Sequence, residues 1–274
     1  MKPIVKWPGG KTKLLHELTD NMPEVFQDYY EPFAGGLAFY LANKDLLTGK
    51  TCHVSDLNKD LVLLYNVVAE DPLTLVTLLN QLGEGNSESF YYQTRDWFNL
   101  NHNKDITKLS ANTKYMLAAT FLYLNKAGYN GLCRYNKDGG FNVPFGKKEG
   151  PIQLYDIDNL LKVSTALKSA DLQYGPYNIW NPQAGDFVYF DPPYHNNFVQ
   201  YTKQGFTEEA QVQLKQYVDD LTSRGVYIML SNSATDFIKD LYKDYNQLII
   251  QAPRAISCKA NGRNKVAEIL IKNY

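Results

Sequence analysis

The chain has 274 residues, of which 44% are hydrophobic and 21% charged, with a formal net charge of −1. That length buries a full core and admits one large domain or a domain carrying an insertion. The balanced charge excludes a globally basic nucleic-acid binder, so contact with an acidic polymer must come from local patches. Cys52, Cys133 and Cys258 stand far apart and in no metal spacing, which argues against a zinc module and a disulfide scaffold; no metal is expected. No apolar run approaches the roughly 18 residues of a membrane span, and no basic-then-apolar leader opens the chain. A cytoplasmic protein without a membrane partner is expected, and with no coiled coil to demand a second copy, a monomer.

Residues 6–11, Lys-Trp-Pro-Gly-Gly-Lys, form a small-residue loop before a helix predicted over 12–21. A phosphate loop would need glycine five positions before Gly10, and Val5 stands there, so that motif is rejected. The glycines still let backbone approach a small ligand, with Trp7 as a wall and Lys11 as a donor. Tyr29-Tyr30-Glu31-Pro32-Phe33-Ala34-Gly35-Gly36 and an apolar helix over 37–47 then read as strand, glycine turn and helix, the opening unit of a nucleotide-type α/β domain. A strand over 51–55 ends at Asp56, about 20 residues after the glycines, where an acid accepts ribose hydroxyls. The absence of G-x-G-x-x-G disfavours NAD. Asp56 as the cap of the next helix is the competing explanation.

From Leu57 the pattern is helical. Leu57, Leu61, Leu64, Tyr65 and Val68 mark one face, Pro72 opens a second helix, and helices over 90–100 and 115–124 follow. That is more than a crossover between strands requires and predicts an inserted domain. It ends in Tyr129-Asn130-Gly131-Leu132-Cys133-Arg134-Tyr135-Asn136 and Phe141-Asn142-Val143-Pro144-Phe145-Gly146, two short strands predicted to form a hairpin about Asp138-Gly139. Lys126, Arg134, Lys137, Lys147 and Lys148 surround it against one acid, Asp138. Such a ribbon fits a DNA major groove, where Arg bidentate to guanine is the commonest specific contact. By composition alone, a solvated hairpin on a helical domain is the favoured alternative.

After Gly150-Pro151 the α/β pattern resumes with a helix over 156–169 and strands over 172–175 and 186–190. A helix opened by Thr207 with Glu208 and Glu209 stops near Gly225. A strand over 226–230, a helix over 235–242 and strands over 247–252 and 267–272 complete the sheet. Between the last two strands Arg254, Lys259, Arg263 and Lys265 occur without an acid, either a phosphate clamp or a solvated basic loop.

The strand Asp186–Phe190 runs into Asp191-Pro192-Pro193-Tyr194. Two prolines stop it, because proline fixes φ and offers no N–H. The rigid corner carries a carboxylate, carbonyls no helix can claim and an aromatic face. Those groups suit the exocyclic amine of a nucleobase: with its hydrogens held by carboxylate and carbonyl, its lone pair localises, and charge developing on nitrogen is stabilised. Tyr194 could stack on a base swung out of the duplex. A plain Pro-Pro turn ending a core strand is the bland alternative.

Taken in order, KWPGGK, EPFAGG, Asp56, FLYLNKAGYNGLCRYN with FNVPFGK, DFVYFDPPY, SNS and RAISCKANGRNKVAEIL resemble the Dam-type (alpha-group, D12 class) DNA N6-adenine methyltransferases over nearly the whole chain. The hairpin segment is most similar to that of members acting on GATC. The resemblance implies an α/β fold, a Rossmann-like seven-stranded methyltransferase sheet (residues 1–56 and 150–274) with an inserted, mainly helical target-recognition domain (57–149) bearing a hairpin over 129–146. It implies S-adenosylmethionine held by Trp7, Gly9, Lys11, Phe33, Gly35, Asp56 and Asp191. Asp191, the Pro192 carbonyl and Tyr194 would hold a flipped adenine for direct transfer. On double-stranded DNA, Tyr129 would wedge into the duplex, Asn130 would hold the opening, and Arg134 would read guanine. Leu132 and Pro144 would touch a thymine methyl, Lys6 and Lys147 would lie at the DNA surface, and Arg254, Lys259 and Arg263 would grip phosphates. Lys148 stands where relatives often carry Tyr, and the 195–206 loop is shorter than in many. No cysteine follows a proline, as carbon-5 cytosine chemistry would need, and Asp191 favours adenine over cytosine N4. A non-catalytic DNA-binding protein on the same scaffold would be free to lose Asp191, Tyr194 or the glycines, and all are present.

Overall fold

A computed structural model describes residues 1–195, 206–252 and 266–274. The aromatic and β-branched runs become β1 (Tyr29–Glu31), β2 (Cys52–Asp56), β3 (Ala170–Tyr174), β4 (Phe187–Phe190), β5 (Tyr227–Ser233), β6 (Asn246–Ala252) and β7 (Val266–Lys272). They form one seven-stranded sheet in the order β3-β2-β1-β4-β5-β7-β6. The first five strands pair in parallel, and β7 runs antiparallel to both β5 and β6. All four residues of β4 are buried, as a parallel strand covered on both faces requires. The chain leaves β1 for β2 and β3 on one side and returns to β4 and β5 on the other. Strand order therefore reverses between β1 and β4, and such a reversal opens a crevice at the strands' carboxyl ends. The two sequence corners, Pro32–Gly36 after β1 and Asp191–Tyr194 after β4, both meet there.

The helices are α1 (Leu15–Asp20), α2 (Ala38–Ala42), α3 (Lys59–Glu70), α4 (Pro72–Glu84), α5 (Glu88–Asn101), α6 (Ala111–Ala127), α7 (Ile157–Lys168), α8 (Glu208–Ser223) and α9 (Asp236–Leu241). Most begin at a side chain that accepts from the first turn's orphan N–H groups: Asn58, Asp71, Ser87, Ser110, Asp156, Thr207 and Thr235. α3 packs on β2 and β3 below and on α6 and α7 beside it. One apolar cluster thus runs from Tyr29 and Val54 in the sheet through Leu64 to Phe121 and Phe98. Among the described residues no single helix is long and apolar enough to cross a membrane.

Three local expectations are corrected. The helix predicted over 37–47 stops at Ala42, where the backbone N–H and the side chain of Asn43 both donate to the Phe39 carbonyl, at 3.1 and 3.0 Å. β5 runs on to Ser233, beyond the predicted end at 230, because β7 supplies partners for Ser231, Asn232 and Ser233. The arms of the 129–146 hairpin do not form strands. Their backbones meet at two isolated bridges, Gly128 to Phe145 and Tyr135 to Phe141, on either side of a 3₁₀ turn at Tyr129–Gly131. The second arm's outer edge bonds α5: Asn99 bonds both the N–H and the carbonyl of Phe141, while Tyr91 and Arg95 donate to the Val143 carbonyl.

Candidate active site and nucleic-acid interface

The glycine turn and the acid after β2 lock together. Gly35 has φ +45°, a left-handed conformation that glycine adopts without steric cost. Its N–H donates to Asp56 Oδ2 at 2.8 Å, and the Asn58 N–H donates to Asp56 Oδ1 at 2.8 Å. The Tyr65 hydroxyl holds the Gly35 carbonyl at 2.6 Å. A Cβ on Gly35 would lie 2.9 Å from Cδ1 and Nε1 of Trp7, so the indole rests directly on the turn. The side chain capping α3 is Asn58, which removes helix capping as the reason for Asp56. Burial raises the Asp56 carboxyl, opposed by the N–H groups of Asn58, Gly35 and Leu57. With three N–H groups on two oxygens, the carboxylate keeps a lone pair for a hydroxyl donor. Phe33 forms a neighbouring wall, stacked on Tyr177 with centroids 5.6 Å apart and meeting Phe190 and Phe206 edge-on.

At the other side of the crevice, Lys11 reaches across the sheet edge to the Asp191 corner. Its Nζ lies 2.7 Å from Asp191 Oδ1, donates to the Gly9 carbonyl at 2.8 Å and sits 4.6 Å from the centroid of Tyr194. Lys11, expected as a cofactor-pocket donor, thus ties the glycine loop to the carboxylate. Burial pushes the Asp191 carboxyl up to about 6, helped by the Glu268 charge and opposed by Lys11 and the Tyr194 hydroxyl. The Tyr194 hydroxyl donates to Glu268 Oε2 at 2.7 Å. At the end of β1, Glu31 is buried, accepts from Tyr29 Oη at 2.5 Å, and is pushed up to about 8, chiefly by burial.

The corner is gripped from behind by buried amides. Gln211 on α8 donates to the Pro193 carbonyl at 3.0 Å, and Asn232 on β5 donates to Gln211 Oε1 at 3.1 Å. Asn232 Oδ1 accepts from the His195 N–H at 3.0 Å, and Ser233 Oγ donates to the His195 carbonyl at 2.5 Å. His195 is pinned in turn by Thr235 and Glu208. Sequence reasoning singled out neither Glu31, Gln211, Asn232 nor Glu268. The available signal was a polar residue inside an apolar strand, as in Val266-Ala267-Glu268-Ile269-Leu270, because such a group is kept inside only with a partner.

The expected DNA-contacting residues gather on a second surface. Tyr129 is 50% exposed, the largest bared aromatic of the turn. Asn130 beside it has φ 54°, and Arg134, Pro144 and Lys147 are also exposed, with Leu132 half-buried. Asn125, fully buried, accepts from the Lys6 N–H and donates to the carbonyls of Lys6 and Gly131. A Cβ on Gly131 would strike the Lys6 stem, so Lys6 lies against this turn while its neighbour Trp7 lies on Gly35. That dipeptide joins the two regions. Arg134 uses Nε and Nη2 on the Asn142 side chain and carbonyl, at 2.8 and 3.2 Å. Arg254, Lys259 and Arg263 lie outside the described residues. Among the described residues no cluster of three His, Cys, Asp or Glu could hold a metal.

Comparison with known proteins agrees with this geometry. The profile of the D12 class N6 adenine-specific DNA methyltransferases matches residues 7–256. The type II methyltransferase M.MjaIII of Methanocaldococcus jannaschii is 39% identical, covering 100% of this chain and 99% of its own. The type II methyltransferase M1.LlaDCHI of Lactococcus lactis subsp. cremoris is 34% identical over 100% and 96% of the two chains. The DNA adenine methylase of Escherichia coli strain K12 is 32% identical over 97% and 93%. With the motifs, the crevice and the full-length match in agreement, the chain belongs to the D12 class of N6 adenine-specific DNA methyltransferases.

Proposed function

We propose that this enzyme methylates N6 of an adenine extruded from double-stranded DNA, within GATC, using S-adenosylmethionine. The observation that carries the reading is the pairing, in one crevice, of the Gly35–Asp56 cradle with the Asp191–Tyr194 corner. The cradle fits a nucleoside: Asp56 has acceptor capacity for ribose hydroxyls, and Trp7 and Phe33 give apolar walls beside Gly9, Lys11 and Gly35. S-adenosylmethionine supplies a methyl group made electrophilic by its sulfonium.

The chain's own residues do the rest. The Asp191 carboxylate accepts one hydrogen of the adenine amine, and the Pro192 carbonyl accepts the other. Among the described residues nothing donates to the Pro192 carbonyl, whereas that of Pro193 is taken by Gln211. Held so, the amine lone pair is turned out of the ring. Lys11 keeps Asp191 ionised, and Asp191 stabilises the charge that builds on N6 and accepts the proton N6 sheds. Tyr194 stacks on the base. Residues 57–149 act as the target-recognition unit, with Tyr129 and Asn130 at the opened pair, Arg134 on guanine, Leu132 and Pro144 at thymine methyls, and Lys6, Lys147, Arg254, Lys259 and Arg263 along the backbone.

The test is incubation of the enzyme with labelled methyl donor and unmethylated DNA, followed by mapping of modified bases. N6-methyladenine confined to GATC is expected. Methylation of cytosine, or none, would overturn the chemistry; N6-methyladenine in another context would overturn the target sequence alone.

A further inference from the structure

The parallel strands bring only their carboxyl ends to the crevice. β7, running antiparallel, brings its amino-terminal end there instead, and with it Glu268, opposite Ser233 at the end of β5. Alternation along β7 puts Glu268 on the same face as Leu270, which joins the core cluster containing Tyr189, while Ile269 and Ile271 enter the opposite cluster. From that face Glu268 Oε2 accepts the Tyr194 hydroxyl at 2.7 Å, a well-formed O–H···O bond. Beside it, the ring has the Lys11 ammonium 4.6 Å from its centroid and the Asp191 carboxyl near its hydroxyl. With the bond to Glu268, both ends of the ring are anchored: Cβ to the rigid Pro-Pro corner, Oη to the sheet.

We propose that Glu268 is a positioning residue that, through the Tyr194 hydroxyl, sets the ring plane against which the extruded adenine stacks. This rests on the function proposed above. A stacking partner held in one plane leaves the amine in one orientation, and the transferring step is sensitive to that orientation. A glutamine at the same place keeps an acceptor oxygen; alanine does not.

The test is a cycle of Tyr194→Phe, Glu268→Ala, Glu268→Gln and the doubles of Tyr194→Phe with each Glu268 change. Each is measured by single-turnover methyl transfer, by DNA affinity, and by the fluorescence of 2-aminopurine placed at the target adenine. Tyr194→Phe and Glu268→Ala should each slow transfer about tenfold, and their double should be no slower than the worse single, as expected for two groups acting through one bond. Glu268→Gln should stay within about threefold of the parent, because the bond is rebuilt. DNA affinity should hold within about twofold while 2-aminopurine fluorescence rises in Tyr194→Phe and Glu268→Ala, reporting a less stacked base. Losses that multiply to about a hundredfold, or unchanged fluorescence in Glu268→Ala, would overturn the proposal. Should Glu268→Ala fail to fold, Glu268→Gln carries the test: its double with Tyr194→Phe must match Tyr194→Phe alone, and a further tenfold loss overturns the proposal. A parent enzyme that makes no N6-methyladenine would instead overturn the function on which this rests.

Discussion

Asp191 must be ionised to hold an amine hydrogen, and its carboxyl is raised to about 6. From that value its ionised fraction falls from about nine-tenths at pH 7 to about one-tenth at pH 5, whereas an ordinary aspartate near 3.9 would lose under a tenth of its charge. Single-turnover methyl transfer at saturating DNA and donor, followed from pH 7.5 to pH 5, should therefore drop about tenfold between pH 7 and 5, with a midpoint near 6. Lys11 lies 2.7 Å from Asp191, so Lys11→Met removes the nearest opposing charge and should move that midpoint upward. Burial and the Glu268 charge, which push the same way, remain. For stability the sign is the reverse of that for activity. The folded protein holds this proton more tightly than the unfolded chain, so the Asp191 contribution improves as pH falls from about 6 towards the usual carboxylate range. A flat rate profile down to pH 5, or a midpoint lowered by Lys11→Met, would refute the assignment of Asp191 as the ionised partner.

Gly35→Ala forces a Cβ to 2.9 Å from the Trp7 indole at φ +45°. The cost should be about 1–3 kcal/mol, seen in calorimetry as weakened donor binding; unchanged affinity would mean that the turn does not meet the donor. Glu31 carries its proton up to about pH 8 in the folded state, so its contribution to stability is lost as pH rises from the ordinary carboxylate range through 8. Glu31→Gln keeps the acceptor for Tyr29 and does not ionise. Urea unfolding should show it more stable at pH 7.5 by up to about 4 kcal/mol and equal near pH 4.5; a loss at both would count against a protonated Glu31. Arg134→Ala should cost about 1–3 kcal/mol and relax specificity at one base pair. An equal loss on all sequences would make Arg134 a phosphate contact. Alanine at Arg254, Lys259 and Arg263 should flatten the salt dependence of DNA binding, and an unaltered slope would remove that loop from the backbone.

Much of this protein is written locally. The β4 run and its two prolines specify a strand with an abrupt end, whatever surrounds it. The spacing from the glycine turn to Asp56 carries the same kind of information, because a strand–turn–helix unit returns its next strand at a nearly constant distance. Helix starts at Pro72 and Thr207 were legible because start signals act within the helix's own first turn. What was missed depends on distant partners, as where β7 extends β5 to Ser233. The chemistry of the crevice was of this second kind. Tyr194 and Glu268 are separated by 74 positions, and Lys11 meets Asp191 from the other end of the chain. Side-chain pattern records which face of a strand is apolar, since that depends on neighbours two residues away. It holds no record of which charges a folded sheet will set a hydrogen bond apart, and only the crossing of β1, β4 and the reversed β7 decided that.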